Sequence, residues 1–238
     1  MKVFTRFASK FGGLVREFGF ANAVLYLAGR AIRGVFPRVF LYRYYIVAQP
    51  VAEDDLLPPR RGKAISVREL GPGDPAFSGL PLDPHVLEFR FRQNVVCLGA
   101  FQNDAVIGCL WLCFGEYEED EVRCVFALGP STGSDAAPAW DFDVYLKPEV
   151  RLGFAFGRLW DEANRLMRAR GIGWSISRIS AFNPGSLAAH TRLGAVRVGS
   201  LTALKGPRRQ LLLSSMPPRI RLHRLDGRLP RYPVSPPR

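Results

Sequence analysis

The chain has 238 residues, 47% hydrophobic and 12% aromatic, enough apolar material for one globular core with appendages, which excludes a wholly disordered chain. Its formal net charge of +12 is concentrated at the two ends, so the middle is mildly acidic and a nucleic-acid-coating role for the whole domain is disfavoured. No uncharged apolar run approaches the roughly 18 residues needed to cross a bilayer.

Residues 1–50 read as a basic amphipathic helical extension. Lys2, Arg6, Lys10, Arg16, Arg30, Arg33, Arg38 and Arg43 stand against Glu17 alone. Leu14, Phe18, Ala21, Leu25, Ala28 and Ile32 alternate steps of four and three, which predicts one apolar helical stripe. An aromatic, basic run from Val35 to Ile46 continues it, interrupted at Pro37. Two readings follow: a helix packed on the domain, or an interfacial anchor on anionic lipid. Arg30 and Arg33 occupy the place where a secretory signal would carry its small-residue cleavage site.

Residues 51–62 read as a linker ending in Pro58-Pro59-Arg60-Arg61-Gly62, and residues 63–215 as the domain proper. Ala64–Leu70 predicts a strand, and Pro84–Phe91 a short helix capped by Asp83. Val95–Phe101 and Ala105–Phe114 predict a hairpin closed by Gln102-Asn103-Asp104, and Val122–Leu128 a further strand. The acidic run Glu116, Glu118, Glu119, Asp120 and Glu121 reads as a solvated hairpin tip able to draw a cationic amine towards the rim. Cys97, Cys109, Cys113 and Cys124 lie inside these strands without a Cys-x-x-Cys pair or a nearby histidine. They read as buried reduced thiols, which suits a cytoplasmic protein without a metal site.

From Trp140 to Ala195 the pattern is strand, turn, helix, strand, helix. Trp140–Leu146 alternates with period 2 and stops at Lys147-Pro148. Phe154–Arg170 carries an apolar stripe at Ala155, Leu159, Ala163 and Leu166, closed by Gly171. The turn before it, Val150 to Ala155, points backbone N–H groups out at the positive end of a helix dipole and can hold phosphate. A second strand, Trp174–Phe182, leads to Asn183-Pro184-Gly185-Ser186, where Asn183 caps and Pro184 opens a short helix ending at Gly194. Val196–Leu204 and Gln210–Ser214 are the last strand candidates. Residues 216–238 lack apolar periodicity and read as a flexible basic tail with no base-reading motif.

The spacing Asn183-x-x-Ser186-x-x-x-His190-x-x-Leu193-Gly194, after a strand and preceded by a glycine turn opening a helix, resembles the GNAT superfamily of acyl-CoA-dependent N-acyltransferases. The resemblance spans roughly Ile65 to Leu213. It implies an α/β fold with a mixed, mostly antiparallel sheet, helices on both faces and two splayed strands. It further implies that an acyl-CoA, most simply acetyl-CoA, lies between those strands. The pantetheine arm would bond the backbone near Tyr145 and Leu146, the pyrophosphate would sit on Arg151, Leu152, Gly153, Phe154 and Ala155, and Asn183 and Ser186 would flank the cofactor. A gapless fit puts Val150 where the family carries Gln or Arg, and keeping Arg151 there shortens the loop by one residue. His190 stands at the family's frequent tyrosine and Ala195 at its phenylalanine.

Acyl transfer to an amine needs an unprotonated nitrogen and a proton for the departing thiolate. His190 is the candidate acid, against a capping histidine at a helix C-terminus. Asp141 and Asp143, taken as sharing one strand face, are the candidate base or ammonium site, against structural ion partners of Arg178 or Arg123. The function expected is transfer of an acetyl group to a primary amine of a small molecule or envelope precursor, with peripheral contact to anionic membrane through residues 1–50. The alternative is an inactive GNAT-fold binding protein that holds membrane or nucleic acid through its basic ends.

Overall fold

The computed structural model describes residues 2–130 and 136–237, with the side chains of residues 2–9 outside that description. Helices are α1 (Lys2–Phe18), α2 (Phe20–Val35), α3 (Pro84–Phe91), α4 (Ala155–Ala169) and α5 (Pro184–Arg192). Strands are β1 (Phe40–Pro50), β2 (Ile65–Leu70), β3 (Val95–Gln102), β4 (Ala105–Phe114), β5 (Glu116–Glu118), β6 (Val125–Leu128), β7 (Ala139–Leu146), β8 (Trp174–Ser180), β9 (Val196–Lys205), β10 (Arg209–Ser214), β11 (Ile220–Arg224) and β12 (Arg231–Val234). The chain forms two compact units: Met1–Ala48 with Glu118–Phe126 and Arg178–Val234, and Gln49–Tyr117 with Ala127–Ser177 and Ser235–Arg238.

In the first unit β11, β10, β9 and β1 form successive antiparallel pairs. Leu41 lies opposite Leu204, Leu204 opposite Leu211 and Leu211 opposite Leu222. The aromatic run of the extension is therefore a strand. Its alternation places Tyr44 and Ile46 in the core and Leu41, Arg43 and Tyr45 on the other side. The single helix expected before it is two helices, because Gly19 breaks the chain at φ 80°, in the left-handed region. α2 lies on β1: Asn22 Nδ2 donates to Tyr45 Oη at 2.7 Å. The C-terminal residues, expected as a flexible tail, form β11 and β12, with Tyr232 fully buried near Phe126.

In the second unit the order is β8-β7-β4-β3-β2, antiparallel except for β7 with β8. The hairpin between β3 and β4 turns on Asn103 and Asp104, both at positive φ, as a tight two-residue turn requires. One face carries Phe77, Cys97, Cys109 and Trp111 packed with Phe91 and Phe142. α4 buries Ala155, Leu159, Trp160, Ala163 and Met167 at helical spacing against β2, β3, β4 and β7. All four cysteines are free and buried.

The supposed linker at residues 51–62 is a strap over α4. Val51 N–H donates to Gly173 O at 3.0 Å, Arg168 donates to Ala52 O, and Leu56 N–H donates to Asp161 Oδ1 at 2.6 Å. Gly157 makes the fit possible: a Cβ there would stand 2.8 Å from Leu57 Cγ.

Candidate active site

The site starts from β7. Along β4 its register runs Trp111 opposite Asp143 and then Leu112 opposite Asp141, so Phe142 is an extra residue and the strand bulges there. A bulge cancels the alternation of side chains. Trp111 and Leu112 point to opposite faces, and so do Asp143 and Asp141. The shared-face pair of carboxylates expected from the sequence does not exist. Asp143 points to the face of α3, where Arg90 Nη1 lies 2.8 Å from its Oδ2 and the guanidinium sits 5.1 Å from the Trp111 ring and 5.2 Å from that of Phe142. Asp141 is buried on the other face and accepts a hydrogen bond from Ser175 Oγ at 2.8 Å. Burial pushes its carboxyl up to about 8, against the effect of that hydrogen bond.

β7 pairs with β8 in parallel, Ala139 opposite Ser175, Trp140 opposite Ile176 and Asp141 opposite Ser177. Its antiparallel ladder with β4 runs on to Leu146, opposite Gly108.

The chain then turns through Pro148–Val150 into α4. Gly153 N–H donates to Val150 O at 3.0 Å, so this amide is committed to the turn itself and is not free for a ligand. The donors left over are those of the first helical turn, Ala155 to Gly157, which no side chain caps. Leu152 is fully exposed and Phe154 partly so. Arg151 Nε folds back to donate to Leu146 O at 3.1 Å. The strap adds what the sequence did not announce: the Arg61 guanidinium lies 5.4 Å from the Phe154 ring centre, and Arg158 Nε reaches Ile65 O at 3.4 Å. Two further cations thus stand at the positive end of the helix.

α5 opens as read: Asn183 Oδ1 accepts from Ser186 N–H at 3.1 Å and Pro184 follows. The uncapped turn into α4 and the Asn-capped α5 agree with the pattern read from the sequence, and in these features the chain is similar to the GNAT superfamily. No family model and no curated protein matches it. Among solved structures it is similar to an aminoglycoside acetyltransferase from an uncultured soil metagenomic sample (12% identity, 56% of this chain and 88% of that one, TM-score 0.40). It is also similar to a tandem GNAT protein of the clavulanic acid biosynthesis pathway (16%, 75% and 58%, 0.45) and to a functionally unknown conserved protein of Staphylococcus epidermidis (9%, 72% and 63%, 0.49).

The sequence-derived residues fall into two sets. Asp141, Asp143, Tyr145, Leu146 and Arg151 to Ala155 belong to the second unit, whereas Asn183, Ser186 and His190 belong to the first. His190 is only 5% exposed, and burial holds its imidazole down at about 4, so it is neutral at pH 7. A neutral imidazole is a poor proton donor, which counts against the acid role. The ion partner of Asp143 is Arg90, not Arg178 or Arg123.

Those two arginines hold part of the acidic run: Glu116, Asp120 and Glu121 are exposed, as a solvated tip would be, but Glu119 is buried. Arg178 pairs with Glu119, with Asp120 at 3.6 Å and with Glu121 at 3.2 Å, and its guanidinium lies 4.6 Å from the Tyr44 ring centre. Arg123 pairs with Glu118 at 2.9 Å, and Tyr44 Oη donates to Glu121 at 2.6 Å. Glu119 is fully buried, and desolvation pushes its carboxyl up to about 7 against the pull of Arg178. Local spacing gives no hint of this cluster, because its cation arrives from β8.

Proposed function

We propose that the chain is an acyl-CoA-dependent N-acyltransferase, with acetyl-CoA as donor and a primary amine as acceptor. The observation that carries this reading is the uncapped start of α4 flanked by Arg61, Arg151 and Arg158. The pantetheine arm would bond the backbone near Tyr145 and Leu146, as the resemblance implies. A helix N-terminus with three guanidinium groups close by suits a diphosphate. In this reading Leu152, Phe154 and Ala155 supply amides or contact surface, and Asn183 and Ser186 retain the capping role that shapes α5.

The amine nitrogen attacks the thioester carbonyl, the C–N bond forms, the C–S bond breaks, the nitrogen gives up one proton and the departing thiolate takes one up, with no net release. Asp141, whose proton leaves only near pH 8, can hold a proton at neutrality, and Ser175 fixes its orientation. His190, held neutral, has no proton to give as an acid near pH 7. Following release of free thiol while a panel of primary amines is supplied with acetyl-CoA tests the reading. Turnover with at least one amine class supports it, and acetyl-CoA hydrolysis at background rate with all of them contradicts it.

A further inference from the structure

The first unit carries an apolar face that is largely exposed among the described residues, with Phe11 of α1 meeting it at Phe20, ring centres 6.0 Å apart. On α2, Phe20, Val24, Leu27, Ala31 and Val35 recur at helical spacing, and Phe20 and Val35 are 67% and 71% exposed, so this stripe points outward. An ordinary surface helix turns such a stripe inward. Beside it, the side of the sheet to which Leu41 points continues across β9, β10 and β11. The register aligns Leu204, Leu211 and Leu222 in one row and Leu213 and Ile220 in the next. Ile220 and Leu222 are 69% and 64% exposed.

Helix stripe and strand rows belong to one side, because α2 is seated on that side of β1. Gly29 faces Leu41 so closely that a Cβ there would lie 3.4 Å from Leu41 Cβ, and Asn22 bonds Tyr45. An exposed apolar surface rimmed by polar residues marks an interaction site.

The flanking charge selects the occupant. Arg30 and Arg33 project from α2, Arg209 and Arg224 stand on the same side of β10 and β11 as the leucines, and among the described residues Arg224 alone of these four has an ion partner, Asp226 at 2.8 Å. From Ala195 to Leu225 the chain holds Arg and Lys and no acidic residue at all. Apolar side chains rimmed by cations match the interface of an anionic lipid bilayer, and no helix among the described residues is long and apolar enough to cross one.

We propose that α2 together with the outer side of β9–β11 docks this protein onto anionic membrane surfaces. The contact is broader than a basic N-terminal anchor, and it does not depend on acyl transfer. It also suggests that an acceptor amine would be met at the lipid–water boundary.

The test is cosedimentation of the full chain with phosphatidylcholine vesicles, with and without one third phosphatidylglycerol. The proposal expects binding to the anionic vesicles that weakens at about 0.5 M salt. It expects a loss of at least about tenfold in both Ile220→Glu/Leu222→Glu and Phe20→Glu/Val24→Glu, with circular dichroism and acetyl-CoA binding unchanged. Three results would overturn it: protein left in the supernatant with both vesicle types, sheet-face variants that sediment like the parent, or a solution dimer that those substitutions dissolve. The last would make the face a contact between copies of this chain.

Discussion

Asp141 and Asp143, two positions apart on β7, point to opposite faces of the sheet, because Phe142 bulges between them. Two neighbouring acids therefore have separate tasks. Asp143 neutralises a buried arginine, and removing its charge leaves Arg90 unpaired between two aromatic rings. Asp143→Asn is expected to cost on the order of 1–3 kcal/mol in urea unfolding at pH 7. A midpoint equal to that of the parent protein would show the pair to be energetically idle.

Asp141 leaves a different signature. Its carboxyl titrates near 3.8 in an unfolded chain and near 8 in the fold. The folded state thus binds the proton more tightly, and the stability it contributes is full below about pH 4 and is lost as pH rises towards 8. The parent protein should lose stability relative to Asp141→Asn at about 1.4 kcal/mol per pH unit at most across that window. Denaturation curves of both proteins at several pH values measure the difference, and parallel curves would contradict a buried, proton-holding Asp141.

His190 carries the opposite sign. Burial lowers its folded value to about 4 from 6.5, so the fold prefers it neutral and loses stability as pH falls from about 6.5 to 4. His190→Gln should blunt that loss. It should also leave the shape of the pH–rate profile above pH 6 unaltered, since a neutral imidazole gives up no proton there. A variant lacking one limb of the profile would restore the histidine as acid.

Arg178 gathers Glu119, Asp120 and Glu121 against Tyr44. Arg178→Ala would strand the fully buried Glu119 charge and is expected to cost about 3–5 kcal/mol, whereas Glu119→Gln, which removes the charge and keeps the shape, should cost far less. Comparing the two midpoints decides whether the cluster is held by its cation.

Where local chemistry alone decides structure, the sequence was readable. Asp83 and Asn183 cap the helices they announce, and the Asn103-Asp104 turn takes the positive φ its residues tolerate. Features set by distant partners were not. The alternation of Leu41, Arg43 and Tyr45 was present, but without the Leu204 strand opposite, it read as a continued helix. Ile220 and Leu222 alternate too, yet the surrounding prolines and arginines masked β11. The bulge at Phe142 is a property of pairing with β4, so period 2 put both aspartates on one face. Arg61 was visible only as the end of a linker, because nothing nearby in sequence shows that the strap returns to α4.

On the proposed function, the start of α4 receives the diphosphate of an acyl-CoA. Isothermal titration of acetyl-CoA into the full chain, beside Gly153→Glu, tests it most directly: the new side chain adds a negative charge at the turn, and a Cβ there would already lie 3.3 Å from Val150 O. Binding in the micromolar range that falls at least about tenfold in the variant is expected. Absence of binding to the parent protein, or equal affinity in both, would contradict it.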